Sequence, residues 1–198
     1  MHTRTILSLA GAVLFAAGAH AAQPSTPDLI IAPTAKGADK LSVSFDDKHV
    51  WIDSGNTHLQ SQVSKGSRWY RTAKGDLVAE LKDDSLQFKL RDEAGKLLWK
   101  VKFDGDKIKI ADNEDMQKAW SIKHAADHDK VYDPKGTELG TIRTGSESGK
   151  TKVKDAKDKE QYVVELGRPT AAPGVLLMKG IPEAQRDIIA AELLIHMK

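Results

Sequence analysis

Hydrophobic and polar residues alternate along most of the chain, in short segments that are separated by turn residues. Phe88 and Leu90 flank Lys89, and Trp99 and Val101 repeat this spacing in the next segment. Successive side chains of a strand point to opposite faces, so a period of two with one polar face predicts half-buried antiparallel strands. The same alternation recurs in later segments, at Ile108 and Ile110, at Trp120 and Ile122, and at Tyr162, Val164 and Leu166.

A turn motif recurs about every 21 residues and gives these strands a common spacing. Its first residue is Asp or Thr, whose side chain can bond the backbone two residues on. Its fourth residue is Gly or Asp, which tolerates the left-handed conformation of a hairpin turn. The five copies are residues 72–75, 92–95, 112–115, 133–136 and 155–158, so Asp115 and Asp158 are expected to be left-handed.

The pattern predicts a mainly β, antiparallel fold of about twelve strands. A further candidate hairpin spans residues 41–45 and 49–52, and the repeats follow from residue 68 to residue 170. That many hairpin strands can close into a barrel. An open meander or a sandwich with a docked C-terminal helix is the alternative.

The C-terminal segment changes from strand to helix pattern. Pro182 and Glu183 are typical of a helix start, and the helix is expected to span about residues 182–196. Residues 188–195 are apolar almost all round, apart from Glu192, which favours burial on every side inside the sheet. A buried Glu192 would need a partner, either His196 four residues on or a Lys or Arg at an inward strand position.

A barrel of hairpins around a hydrophobic C-terminal helix resembles the tubby C-terminal-like superfamily, with its LURP-one-related and phospholipid scramblase-like members. The phrases at residues 131–143 and 90–99 look like hairpins of that group, and residues 174–197 look like its central helix. The resemblance implies membrane-lipid association or a scaffold role, not catalysis. No lipid-binding residue carries over, and the export signal departs from the group's intracellular members.

The first 21 residues predict a secretory signal peptide that is cleaved after Ala21. Arg4 supplies the positive start, residues 6–19 are apolar, and Ala19 and Ala21 give a small-x-small cleavage site. Residues 22–40, rich in Pro, Ala and small polar residues, are interpreted as a flexible linker that can hold a short strand at 29–32. Residues 41–198 are expected to form one barrel-like domain, and the protein is expected in the bacterial periplasm.

The composition of the chain limits the kinds of function that the protein is expected to have. The chain has 30 basic and 28 acidic residues, a net charge of +2, which is not the balance of a nucleic-acid binder. It has no cysteine, so a disulfide framework is excluded and a packed core must supply the stability. Paired acids such as Asp83 and Asp84 lie at predicted turns and are interpreted as solvated.

Two groups of residues carry candidate chemistry. His124, Asp127 and His128 fall within five residues and have zinc-ligand chemistry, although a polar turn between hairpins explains the same residues. His124 is expected to continue the inward face of the strand before it. Trp69 and Tyr70 occupy opposite faces of one strand, so one of them is expected to reach the surface as a contact residue.

The chain shows no nucleophile elbow or phosphate loop, and no cofactor is predicted. The sequence therefore favours an exported, non-enzymatic binding or scaffold protein of the envelope that contacts a protein partner through outer strand faces and loops. One alternative is a peripheral protein that binds a membrane surface. A second is a metal-dependent hydrolase built on His124, Asp127 and His128.

Overall fold

The computed structural model describes residues 22–55, 57–84, 86–145, 150–168 and 170–197. The predicted signal peptide, residues 1–21, lies outside the described residues. Within the described ranges, fourteen antiparallel strands form one closed barrel, in which each strand pairs with its neighbours in sequence and β1 pairs with β14. The predicted closed barrel is confirmed, with fourteen strands where about twelve were expected.

The strands are short and follow the repeat. They are β1 Leu29–Pro33, β2 Leu41–Phe45, β3 Val50–Ser54, β4 Thr57–Ser64, β5 Ser67–Thr72, β6 Leu77–Asp84, β7 Gln87–Arg91, β8 Leu97–Asp104, β9 Lys107–Ala111, β10 Trp120–His124, β11 Asp129–Tyr132, β12 Glu138–Thr144, β13 Thr151–Asp155 and β14 Glu160–Leu166.

The first strand corrects the predicted boundary between linker and domain. β1 lies inside the expected linker of residues 22–40, and it pairs with both β14 and β2 to close the barrel. Leu29 and Ile31 are fully buried on its inner face. The domain therefore begins at Leu29, because this five-residue strand supplies the pairing that the edges of β2 and β14 would otherwise lack.

Four of the five repeated turns form as predicted. Gly75, Gly95 and Gly136 have positive φ angles of 90°, 79° and 82°, and Asp158 takes the same conformation with a φ of 61°. In each turn the amide of the fourth residue donates a hydrogen bond to the carbonyl of the first, over 2.8–3.0 Å. These turns lie together at one end of the barrel.

The third copy departs from the prediction. Asp115 is not left-handed; Met116 and Lys118 are, with φ angles of 57° and 51°. The Asn113 side chain accepts a hydrogen bond from the Gln117 amide and donates one to the Gln117 carbonyl, both over 2.9 Å. These bonds organise a longer loop, residues 112–119, in place of a tight turn.

The C-terminal helix fills the barrel. A 3-10 helix, Ala172–Leu177, leads into helix α1, Glu183–His196, which confirms the predicted bounds. Five α1 residues are fully buried apolar side chains: Ile188, Ile189, Ala190, Ala191 and Leu193. Burial of each large aliphatic side chain contributes about 1.5–3 kcal/mol, so the helix and the barrel stabilise each other. In the described part of the chain, no helix is long and apolar enough to cross a membrane.

Candidate functional site

Glu192 lies inside the barrel with no solvent exposure. Its Oε1 accepts a hydrogen bond from Nη1 of Arg68 at 2.7 Å and another from the hydroxyl of Tyr70. Arg68 and Tyr70 are two residues apart on β5, so both side chains point inward. The prediction that a buried Glu192 takes a cation from an inward strand position is confirmed. His196 also approaches, with Nδ1 at 3.6 Å from Oε2 of Glu192.

The surroundings of Tyr70 and Arg68 keep each of these two side chains in one charge state. Burial, together with the negative charge of Glu192, raises the pKa of Tyr70 well above its usual value, so the phenol stays protonated. Burial alone would lower the pKa of Arg68, but the attraction of Glu192 and Tyr70 and the hydrogen bonds with both together outweigh it, and the net shift is upward. The cluster thus anchors α1 to β5 as an ion pair bridged by a neutral tyrosine.

A second buried acid lies near the start of α1. Asp187 is only 1% exposed, and burial raises its pKa to about 6, with Glu183 adding to the rise. Arg186 and a hydrogen bond with Ser54 act in the opposite direction. Its Oδ2 has no hydrogen-bond partner within the described residues. An acid in this position opposes folding when it is charged, so Asp187 makes stability depend on pH.

The predicted metal ligands do not converge. Nδ1 of His124 lies 2.7 Å from Asp129, whereas Nδ1 of His128 lies 2.5 Å from Asp127, so each imidazole pairs with its own carboxylate. Among the residues that the structure describes, no three His, Asp or Glu side chains are placed to hold a metal ion. The predicted inward position of His124 is wrong: its side chain is 74% exposed, because β10 ends there at the rim of the barrel.

Trp69 and Tyr70 lie on opposite faces of β5, as their adjacency predicts. Tyr70 is fully buried against Glu192, so it is not available as a surface contact. Trp69 is half-buried on the outer face. Trp69 therefore remains the surface candidate of this pair.

The outer faces of β7–β13 carry a concentration of positive charge. Strand by strand, the outward positions hold basic side chains that alternate with the buried residues. We call this surface the basic wall, and its members are Lys89, Arg91, Lys100, Lys102, Lys107, Lys109, Lys123, Lys130, Arg143, Lys152 and Lys154.

Strand pairing places many of these cations directly opposite one another. Like charges at directly opposed positions destabilise a sheet by roughly 0.2–1 kcal/mol for each pair. The opposed pairs are Lys89 with Lys100, Lys102 with Lys109, Lys107 with Lys123, Lys123 with Lys130, and Arg143 with Lys152. Where neither opposed cation has a carboxylate partner, as for Lys107 and Lys123, the pair is an arrangement that folding alone does not favour.

Among the described residues, eight of the eleven wall members lie within salt-bridge distance of a carboxylate. Glu114, from the long 112–119 loop, lies 2.8 Å from Lys89, 3.2 Å from Arg91 and 3.5 Å from Lys100. The centre is different: among the described residues, no carboxylate lies within salt-bridge distance of the wall members Lys102, Lys107 and Lys123. The centre of the wall therefore presents unpaired ammonium groups to a partner.

Comparisons with known protein families, with curated proteins and with solved structures found no match to the chain. The resemblance to the tubby-like group therefore stays a prediction. What the protein does is inferred from its own geometry.

Proposed function

We propose that the protein is an exported, non-enzymatic binding protein of the bacterial cell envelope that contacts an acidic protein partner through the basic wall. The observation that carries this proposal is the opposed pair of Lys107 on β9 and Lys123 on β10, together with Lys102 on β8, none of which lies within salt-bridge distance of a described carboxylate. Export rests on the signal sequence at residues 1–21. The filled interior supports an outer binding surface, because α1 occupies the space in which a barrel of this kind would hold a ligand.

An acidic partner would supply the countercharge that the wall lacks. Carboxylates placed between Lys107 and Lys123 would relieve the repulsion between these opposed residues. Electrostatic complementarity of this kind accelerates association and selects against basic partners. Because the ammonium groups are exposed to solvent, such binding weakens as salt rises.

The basic wall also supports a second candidate, an anionic membrane surface. The wall covers seven of the fourteen strands, β7–β13, and so extends around half of a closed barrel. A flat bilayer touches only a few strands of a convex wall at one time, whereas a protein partner can follow its curvature. The protein partner is therefore the function that the geometry favours. The hydrolase alternative has no observation in its support.

Charge reversal tests the proposal. A variant that combines Lys102→Glu with Lys123→Glu reverses two unpaired members of the wall. The matched control combines Lys36→Glu with Lys74→Glu, two exposed cations outside the wall. Each protein is immobilised and exposed to native envelope extract at low and at high salt, and the captured proteins are quantified by mass spectrometry.

We expect the wild type and the control variant to capture the same acidic protein at low salt. The amount of this protein that the wall variant captures should be about tenfold lower, because charged contacts are lost. Equal capture by all three would contradict the proposal. Flotation with anionic and with zwitterionic vesicles separates the second candidate: salt-sensitive binding to anionic vesicles alone, without a captured protein, would favour the membrane surface.

A further inference from the structure

The long 112–119 loop, where the turn repeat is broken, borders two adjoining hollows on the outer surface. One has a volume of about 490 Å³ and the other a volume of about 430 Å³. Lys118 and Pro134 line both of them, so the two hollows meet at these residues. The backbone at Lys118 is left-handed, with a φ of 51°, which is a conformation that non-glycine residues rarely adopt without a structural reason.

The first hollow is a basic cavity. Lys107, Lys118, Lys123 and Lys135 all line it, and among the described residues none of these four has a carboxylate within salt-bridge distance. Asp133 also lines it, but its Oδ1 is occupied by the amides of its own turn, which donate hydrogen bonds over 2.8 Å. Four unpaired ammonium groups around one hollow favour an anionic group with several oxygens.

Two side chains of the same hollow add hydroxyl groups that can form hydrogen bonds with a ligand. Ser121 and Tyr132 line it beside the lysines, and each hydroxyl can donate or accept a hydrogen bond. A ligand that carries alcohol groups next to its anion matches this set of partners better than an inorganic anion does.

The second hollow combines aromatic rings with polar side chains. Trp99 and Trp120 line it together with Asp112 and Gln117. Trp99 is only 9% exposed and its Nε1 donates a hydrogen bond to Gln185, so Trp120 is the more accessible of the two rings. The Trp120 ring is packed against Gly180, where a Cβ atom would approach the ring to 2.6 Å, so glycine is required to seat the ring there. Aromatic faces bordered by carboxylate and amide groups suit a ring with an apolar face and hydroxyls at its edge, which is the chemistry of a sugar.

We infer that the two hollows form one binding site for an anionic saccharide, a sugar that bears a phosphate or a carboxylate. The anion lies among the lysines of the first hollow, and the sugar ring lies against the Trp120 ring of the second. This inference goes beyond the proposed partner binding and does not depend on it, although Lys107 and Lys123 belong to both surfaces.

Titration monitored by NMR tests the site in the full-length protein. The probes are glucose 6-phosphate and glucuronate as the two anionic sugars, glucose as the neutral sugar, and inorganic phosphate as the anion without a sugar. The four indole N–H signals give an internal control. We expect the Trp120 signal to shift with an anionic sugar, and the signals of Trp51 and Trp69, on other strands, to stay in place.

Single substitutions locate the anion. Lys118→Gln and Lys123→Gln are each expected to weaken binding of the anionic sugar about tenfold, as is typical for the loss of a charged hydrogen bond. The matched control is Lys102→Gln, which removes an unpaired lysine of the basic wall outside both hollows and is expected to leave the affinity unchanged. Whichever of glucose 6-phosphate and glucuronate binds more tightly identifies the anionic group.

Three results would overturn the inference. Indole signals that do not move at millimolar anionic sugar would exclude the site. Inorganic phosphate that binds as tightly as glucose 6-phosphate would exclude a saccharide. A loss in Lys102→Gln as large as that in Lys123→Gln would show diffuse attraction by the wall. None of these results would alter the expected capture of an acidic protein, so the two proposals fail separately.

Discussion

At the scale of single residues, Glu192 shows which contacts of a buried side chain the sequence predicts and which it does not. An acid on a helix that is otherwise apolar must be paired when it is buried, and this predicted a cation from the barrel wall. The sequence could not single out Arg68, because the depth and rotation of α1 in the barrel are set by packing over the whole interior. Tyr70, the second partner, was assigned to a possible surface contact for the same reason.

Replacing Glu192 with Ala should destabilise the protein by about 3–5 kcal/mol, because the buried cation of Arg68 loses its countercharge. Urea unfolding measures the effect. The double variant Arg68→Met with Glu192→Leu is the control, and it should recover most of the loss, since no unpaired charge remains. A double variant as unstable as Glu192→Ala would contradict an ionic origin.

Asp187 predicts a dependence of stability on pH. Its pKa is about 6 in the folded protein and 3.8 as the reference value, so the folded state binds the proton more tightly. Its contribution is present below about pH 4 and is lost as the pH rises through about 6, which costs up to about 3 kcal/mol at neutral pH.

The variant Asp187→Asn removes this titration. It should be more stable than the wild type at pH 7 and nearly equal to it at pH 4, as measured by urea unfolding at both values. If the stability difference between variant and wild type is the same at pH 4 and pH 7, the raised pKa is not the cause.

At the scale of strands and turns, local chemistry predicted four of the five repeated turns, because Gly or Asp at the fourth position sets the backbone directly. The prediction of a tight turn at the third copy was wrong. There the Asn113 side chain forms hydrogen bonds with the backbone of Gln117, which the rules for turn residues do not anticipate. The short strand expected at residues 29–32 forms as β1, but its place in the barrel was missed, because five residues among Pro and Ala do not show which strands they pair with. The alternating lysines were visible in the sequence, but only the strand register shows that they oppose one another.

The opposed lysines predict a gain in stability from an acidic substitution. Lys123 lies between Lys107 on β9 and Lys130 on β11, so Lys123→Glu replaces two repulsive pairs by two attractive ones. Thermal or urea unfolding at low salt should show a gain of roughly 0.5–1 kcal/mol. The gain should shrink at high salt, which screens exposed charges. A less stable variant at low salt would show that the wall carries no repulsive cost.

At the scale of the whole molecule, the interior supplies stability and the exterior carries the proposed binding surface. α1 fills the barrel and is tied to it by the Glu192 cluster, while the centre of the basic wall carries cations that no described carboxylate pairs. The net charge of +2 conceals this surface, because the 28 acidic residues of the chain nearly balance its 30 basic ones. Composition predicted that the protein does not bind nucleic acid and gave no sign of a basic surface, which arises only when the strands pair.

Site-specific photo-cross-linking in native envelope tests the use of the basic wall most directly. One photoreactive residue replaces Thr141, an outward position on β12 inside the wall. In the matched control, the photoreactive residue replaces Gln62, an outward position on β4 outside the basic wall. We expect a discrete protein adduct from position 141 that disappears at high salt, and none from position 62. An adduct from position 62 with none from position 141 would contradict binding through the wall.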